Sequence, residues 1–151
     1  MDGTAESLVR FAAETAGCTS AGLALNRQGA LQLAAVTDPR LEPIYRFKFA
    51  TGEGPLVTAF TYDTIVRVRD VGTDPRWPIW SERIAATGVR SVLQAPLRVG
   101  GRIVGVLGFY SSEPDAFSAE VEAIAADAEV LEVVRLLVDQ RPAAARSAVK
   151  G

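Results

Sequence analysis

The chain has 151 residues, 48% of them hydrophobic, enough for one domain with a sizeable core and too short for two independent ones. Its 16 basic and 18 acidic residues are dispersed along the chain and give a net charge of −2, leaving no electrostatic footprint for nucleic acid. One cysteine, one methionine and no histidine all but exclude zinc, a histidine-ligated haem and a histidine-assisted nucleophile, because these side chains supply the soft ligands and the neutral-pH proton carrier.

From the N-terminus, Thr4 can cap a helix in which Leu8, Phe11, Ala12 and Thr15 recur at helical spacing and Gly17 supplies the stop. The opening MDGTAESLVR lacks the basic-then-apolar layout of a leader, and no apolar run reaches the roughly 18 residues of a membrane span. A cytoplasmic protein without a membrane anchor is therefore expected. The lone Cys18 is read as a small, half-apolar packing residue. SAGLALN and LQLAAVT alternate and flank RQGA, the pattern of an antiparallel hairpin.

After Asp38-Pro39, IYRFKFA sets Tyr45, Phe47 and Phe49 against Arg46 and Lys48, which predicts an extended segment with one aromatic face. GEGPLVTAF reads as a glycine loop feeding a short helix from Pro55, and TIVRVRDV as a strand near 65–68. Asp70 and Asp74 stand beside Gly72 and Pro75 and are ordinary turn residues, as Glu53 is beside its glycines, so no acid–base pair is assigned. Pro78 can open a helix ending before Gly88 that lines up Trp77, Trp80 and Ile84.

Residues 91–111, SVLQAPLRVGGRIVGVLGFYS, are two apolar strands around a glycine turn. A two-residue Gly100-Gly101 turn would mix the Gln94 amide with Leu107 and Phe109. A three-residue Val99-Gly100-Gly101 loop instead puts Leu93, Ala95, Leu97, Leu107 and Phe109 on one face, and Val92, Gln94, Gly108 and Tyr110 on the other. Segregation of polar from apolar groups favours the longer loop. Pro114 and Ser118 introduce a helix predicted to run unbroken to about Gln140 over roughly 30 Å. It carries one stripe at Val121, Ile124, Ala128 and Leu131 and a second at Val130, Val134 and Leu137. One stripe can cover the sheet, and the other needs a neighbour, either the first helix or the same surface of a second copy; a homodimer through the terminal helices is expected. Residues 1–141 are one domain on this reading, and 142–151 a flexible tail.

GEGPLVTAF, DVGTDPRWPIW, GVRSVLQAPLRVGGRIVGVLGFYS and PDAFS, in that order, resemble GAF domains, especially those of actinobacterial regulators, over residues 4–137. The resemblance implies an α+β fold: a central antiparallel sheet of five or six strands, terminal helices on one face, and a loop- and helix-covered ligand cavity on the other. It implies a non-catalytic sensor that binds an unknown small molecule and signals to a downstream regulatory protein, with Trp77, Trp80, Arg83, Val92, Gln94, Gly108 and Tyr110 lining the cavity. The alternative is a ligand-free module for dimerisation or docking. Bilin-binding and haem-binding relatives use a pocket histidine, and methionine sulfoxide-reducing relatives use several cysteines, so neither cofactor nor catalysis is expected. Many actinobacterial relatives continue into an RNA-binding ANTAR domain, for which the 13 residues after Val138 are too few.

Overall fold

Thr4 opens the first helix as its spacing predicts, its hydroxyl accepting from the Ser7 amide at 3.0 Å, and α1 (Ala5–Ala16) ends at Gly17 with φ 66°. The architecture is that of a computed structural model and covers residues 3–140; the predicted tail at 142–151 lies outside the described residues. A first hairpin, β1 (Ser20–Arg27) and β2 (Ala30–Val36), turns through Gln28 and Gly29. Next come α2 (Glu42–Thr51), α3 (Pro55–Tyr62), the short strand β3 (Val66–Val68) and α4 (Pro78–Ala85). A second hairpin, β4 (Ser91–Val99) and β5 (Arg102–Ser111), precedes α5 (Ala119–Glu122) and α6 (Ala128–Asp139).

The strands form one five-stranded antiparallel sheet in the order β2-β1-β5-β4-β3, which bears out the predicted α+β class. Each face of the sheet builds its own core. On one, Ala21, Leu23, Leu93, Leu107 and Phe109 pack against Leu8 and Ala12 of α1 and against Val121, Val130, Val134 and Leu137 of the C-terminal helices. On the other, Val66, Val68, Val92, Val106 and Tyr110 meet Tyr45, Leu56, Trp80 and Ile84 from α2, α3 and α4. Among the described residues no helix is long and apolar enough to cross a membrane.

Three local expectations are corrected. The second hairpin segregates its faces as predicted, but not by a three-residue loop. Val99 pairs with Arg102 across a two-residue turn whose Gly100 and Gly101 have φ 60° and 78°, and a bulge at Val104, between the partners of Leu97 and Arg98, restores the segregated register. IYRFKFA is not extended: it lies in α2, with a proline in the first turn and Gly52 ending the helix at φ 71°.

The last helix is not continuous either. Asp127 leaves the helical region at ψ 129°, and its carboxylate accepts from the Glu129 and Val130 amides at 2.9 and 3.1 Å, capping α6. The break re-aims the chain so that both predicted stripes contribute to the same core, the second of them through Val130, Val134 and Leu137. Arg27 of β1 closes the far end of α6, donating to the Leu137 and Gln140 carbonyls at 3.1 and 2.7 Å.

Candidate functional site

A row of paired residues crosses the middle of the sheet: Val36, Gly22, Gly108, Gln94 and Val66. Two adjacent members of that row are glycines, and on the face covered by α2 they leave a notch. A Cβ at Gly22 would overlap the Tyr45 hydroxyl, and one at Gly108 would stand 2.7 Å from Gln94 Oε1 and 3.0 Å from the Tyr110 hydroxyl. Glycine is needed here for space, because three polar side-chain ends converge on the backbone.

Helix α2 supplies the cover. Tyr45 and Lys48, three residues apart, share the face it turns inward, and both side chains are fully buried. The Lys48 ammonium donates to the Tyr110 hydroxyl at 3.0 Å and lies 4.2 and 5.3 Å from the centroids of the Tyr45 and Tyr110 rings. Gln94 Nε2 donates to the same Tyr110 oxygen at 3.0 Å, and Tyr110 in turn donates to Tyr45 at 2.8 Å. Burial, with the neighbouring Tyr110, pushes the Tyr45 phenol well above its ordinary range and keeps it protonated.

This cluster is polar, cationic and incompletely matched. Every ion pair among the described residues involves an arginine, so Lys48 is buried without a carboxylate. Gln94 Oε1 and Trp80 Nε1 are buried without any hydrogen-bond partner. Trp80 packs at Gly54, where a Cβ would lie 3.4 Å from Trp80 Cδ1 and 3.7 Å from Cγ of Lys48. Gly54 itself has φ 120°, open only to glycine, and belongs to the loop that joins α2 to α3.

Of the residues proposed from sequence, Trp80, Val92, Gln94, Gly108 and Tyr110 lie together in or beside this cluster. Trp77 is half-buried, edge-on to Trp80 with ring centroids 6.0 Å apart, and carries the Arg76 guanidinium on its ring. Arg83 is exposed and lies over the Phe47 ring at 4.5 Å, on the outside of the cover. Trp80, Tyr45 and Lys48 are all fully buried on this side of the sheet. Open hollows lie elsewhere: a groove of about 710 Å³ lined by Arg27, Arg102, Arg135 and their neighbours, and a shallow one of about 430 Å³ around Arg67 and Asp74.

Asp70 and Asp74 are the turn residues predicted. The Asp70 carboxylate accepts from the Gly72 amide at 2.9 Å and pairs with Arg90, and that of Asp74 pairs with Arg76; these arginines hold both carboxyls below the usual range. Cys18 is half-buried against the helix-side core, and burial pushes its thiol up, away from the reactive thiolate. Sequence reasoning missed Tyr45 and Lys48 as site residues because it read their segment at period two. At the helical period Ile44, Tyr45 and Lys48 share a face, and Pro43 and Gly52 bound the segment as start and stop signals.

A family model described as the GAF domain matches residues 1–140 of this chain. Among curated proteins no match is found. Solved structures with a similar fold include the type II free methionine-R-sulfoxide reductase of Thermoplasma acidophilum, at 20% identity and TM-score 0.65, covering 87% of this chain and 89% of that one. A domain described as part of a two-component sensor histidine kinase from Sinorhizobium meliloti is similar at 18% identity and TM-score 0.63, covering 87% and 83% of the two chains. The GAF domain of the cyanobacteriochrome TePixJ is similar at 18% identity and TM-score 0.64, covering 88% of each.

Proposed function

From the premise that the chain belongs to the GAF family, whose members are sensory and regulatory domains that bind small molecules, we propose that it is a non-catalytic sensor with its ligand site under α2. The ligand takes up the unmatched polar groups of Lys48, Gln94 and Trp80, against walls formed by Tyr45, Val92 and Tyr110. The observation that carries this reading is the buried cluster itself. A cover that only packs is expected to be apolar or fully hydrogen-bonded, since each unmatched buried polar group costs roughly 1–3 kcal/mol. Here a lysine, an indole N–H and an amide oxygen are enclosed with too few partners.

Entry moves α2, the element that brings Tyr45 and Lys48, on the loop containing Gly52 and Gly54. The signal passes through the sheet: β1, β4 and β5 turn Gly22, Gln94 and Gly108 toward the ligand, and Leu23, Leu93 and Phe109, beside them in sequence, toward α1 and α6. A ligand that favours one setting of these strands shifts the terminal helices with them, and through them a second copy or a downstream regulatory partner. Cys18 packs on the opposite face from Lys48, so thiol chemistry is no part of this reading.

Native mass spectrometry of the purified full chain tests the proposal: a retained small molecule, lost on denaturation, is expected. The complete burial of Trp80, Tyr45 and Lys48 favours a second reading, a self-filled docking module. A chain that carries no retained molecule, together with α2 amides that exchange with solvent as slowly as those of β4, would support that reading instead.

A further inference from the structure

We propose that the ligand of the α2 site is a small organic carboxylate with a flat apolar body, bound through its carboxylate to Lys48. This rests on the ligand-site reading above and names the chemistry of that site. The donors and acceptors of the cluster do not balance. Tyr110 uses both its acceptor capacity, on Lys48 and Gln94, and its one proton, on Tyr45. Left over are two protons of the Lys48 ammonium, the second amide proton of Gln94 and the Tyr45 phenol proton, and the Trp80 indole N–H is unpartnered in the same core. Against these donors stand Gln94 Oε1 and the remaining lone pair of the Tyr45 hydroxyl. With the Gln94 amide turned over to accept from Tyr110, Tyr45 donates to Tyr110 in turn, and the number of unpaired donors is unchanged.

The charge of the cluster is that of the lysine, with which no carboxylate pairs among the described residues. What complements many donors and one cation is an anion with several lone pairs, and a carboxylate offers about four in a plane. The remaining walls are Tyr45, Tyr110, Trp80, Leu56, Val92 and Val106, aromatic and aliphatic without further charge. They suit a flat hydrocarbon body better than a phosphate or a sugar. The free Gln94 oxygen adds a place for one donor on the ligand, such as a hydroxyl or ring N–H.

The test is a titration of the full chain, followed by tryptophan fluorescence and calorimetry, with benzoate, 4-hydroxybenzoate and indole-3-carboxylate, each against its uncharged amide. At least one acid is expected to bind about tenfold or more tightly than its amide. Lys48→Met and Lys48→Gln, each checked for folding by its melting transition and emission maximum, are expected to bring the acid and amide to equal affinity. Amides that bind as well as acids, or an acid preference that survives in both variants, would overturn the carboxylate assignment while leaving the α2 site standing. Failure of every acid to bind would overturn it as well. If in that case no molecule is retained in native mass spectrometry, the site reading falls with it.

Discussion

Lys48 is a polar residue where packing alone calls for an apolar one. Replacing it with methionine keeps the stem that lies along Gly54 and removes the buried ammonium, while Tyr110 keeps its bonds to Gln94 and Tyr45. Without ligand, Lys48→Met is therefore expected to raise stability by about 1–2 kcal/mol, read as a higher midpoint in urea unfolding. A loss of similar size would mark the lysine as a structural support rather than a binding group.

The glycines give a graded second test at this scale. A Cβ at Gly105 meets the Ala24 carbonyl at 2.5 Å, fixed backbone; one at Gly22 meets the stiff Tyr45 ring; one at Gly108 meets the end of the flexible Gln94 side chain. Alanine is expected to cost most at Gly105, less at Gly22 and least at Gly108, with the larger penalties about 1–3 kcal/mol by thermal melting. Equal losses at all three would contradict the crowding described at the notch.

Among the elements, the sequence pattern predicts the structure where one period dominates and misleads where two compete. The alternation of Val92, Gln94 and Tyr110 against Leu93 and Phe109 reveals both faces of the second hairpin, because the pleat fixes the faces within each strand and keeping Gln94 apart from Leu107 and Phe109 selects the register between them. It could not locate the bulge at Val104, since a turn of either length can be reconciled with the same faces once one residue is left unpaired. In residues 44–50 the alternating aromatics outweighed the proline and glycine at the ends, and the helix with its two site residues was lost. The continuous apolar pattern of 119–140 hid the break at Asp127, whose capping role needs only one side chain. Asp127→Ala is expected to cost about 1 kcal/mol and to lower the far-UV helical signal at partial denaturation; no change in the melting midpoint would show that α6 starts without its cap.

For the whole molecule, a two-sided sheet divides the labour: helices α1, α5 and α6 seal one face, and α2, α3 and α4 cover the other. The stripe of Val130, Val134 and Leu137 that predicted a second copy is covered within the chain. The proposed homodimer through terminal helices therefore has little apolar surface left on α6, chiefly Leu136, which is 48% exposed. It is expected to be weak: light scattering should show dimer at high micromolar concentration and monomer after Leu136→Lys, whereas an unmodified chain that stays monomeric there contradicts it.

The claim on which the rest depends is that the Gly22–Gly108 notch under α2 is a ligand site. The most direct measurement is a two-dimensional amide NMR titration of the full chain with the tightest-binding acid among benzoate, 4-hydroxybenzoate and indole-3-carboxylate. Shifts at Gly22, Gly54 and Gly108, with Gly100 and Gly101 at the hairpin tip unmoved, are the predicted result. Shifts confined to Gly29 and the residues around Arg27 and Arg102 would place the ligand in the open groove and contradict the account.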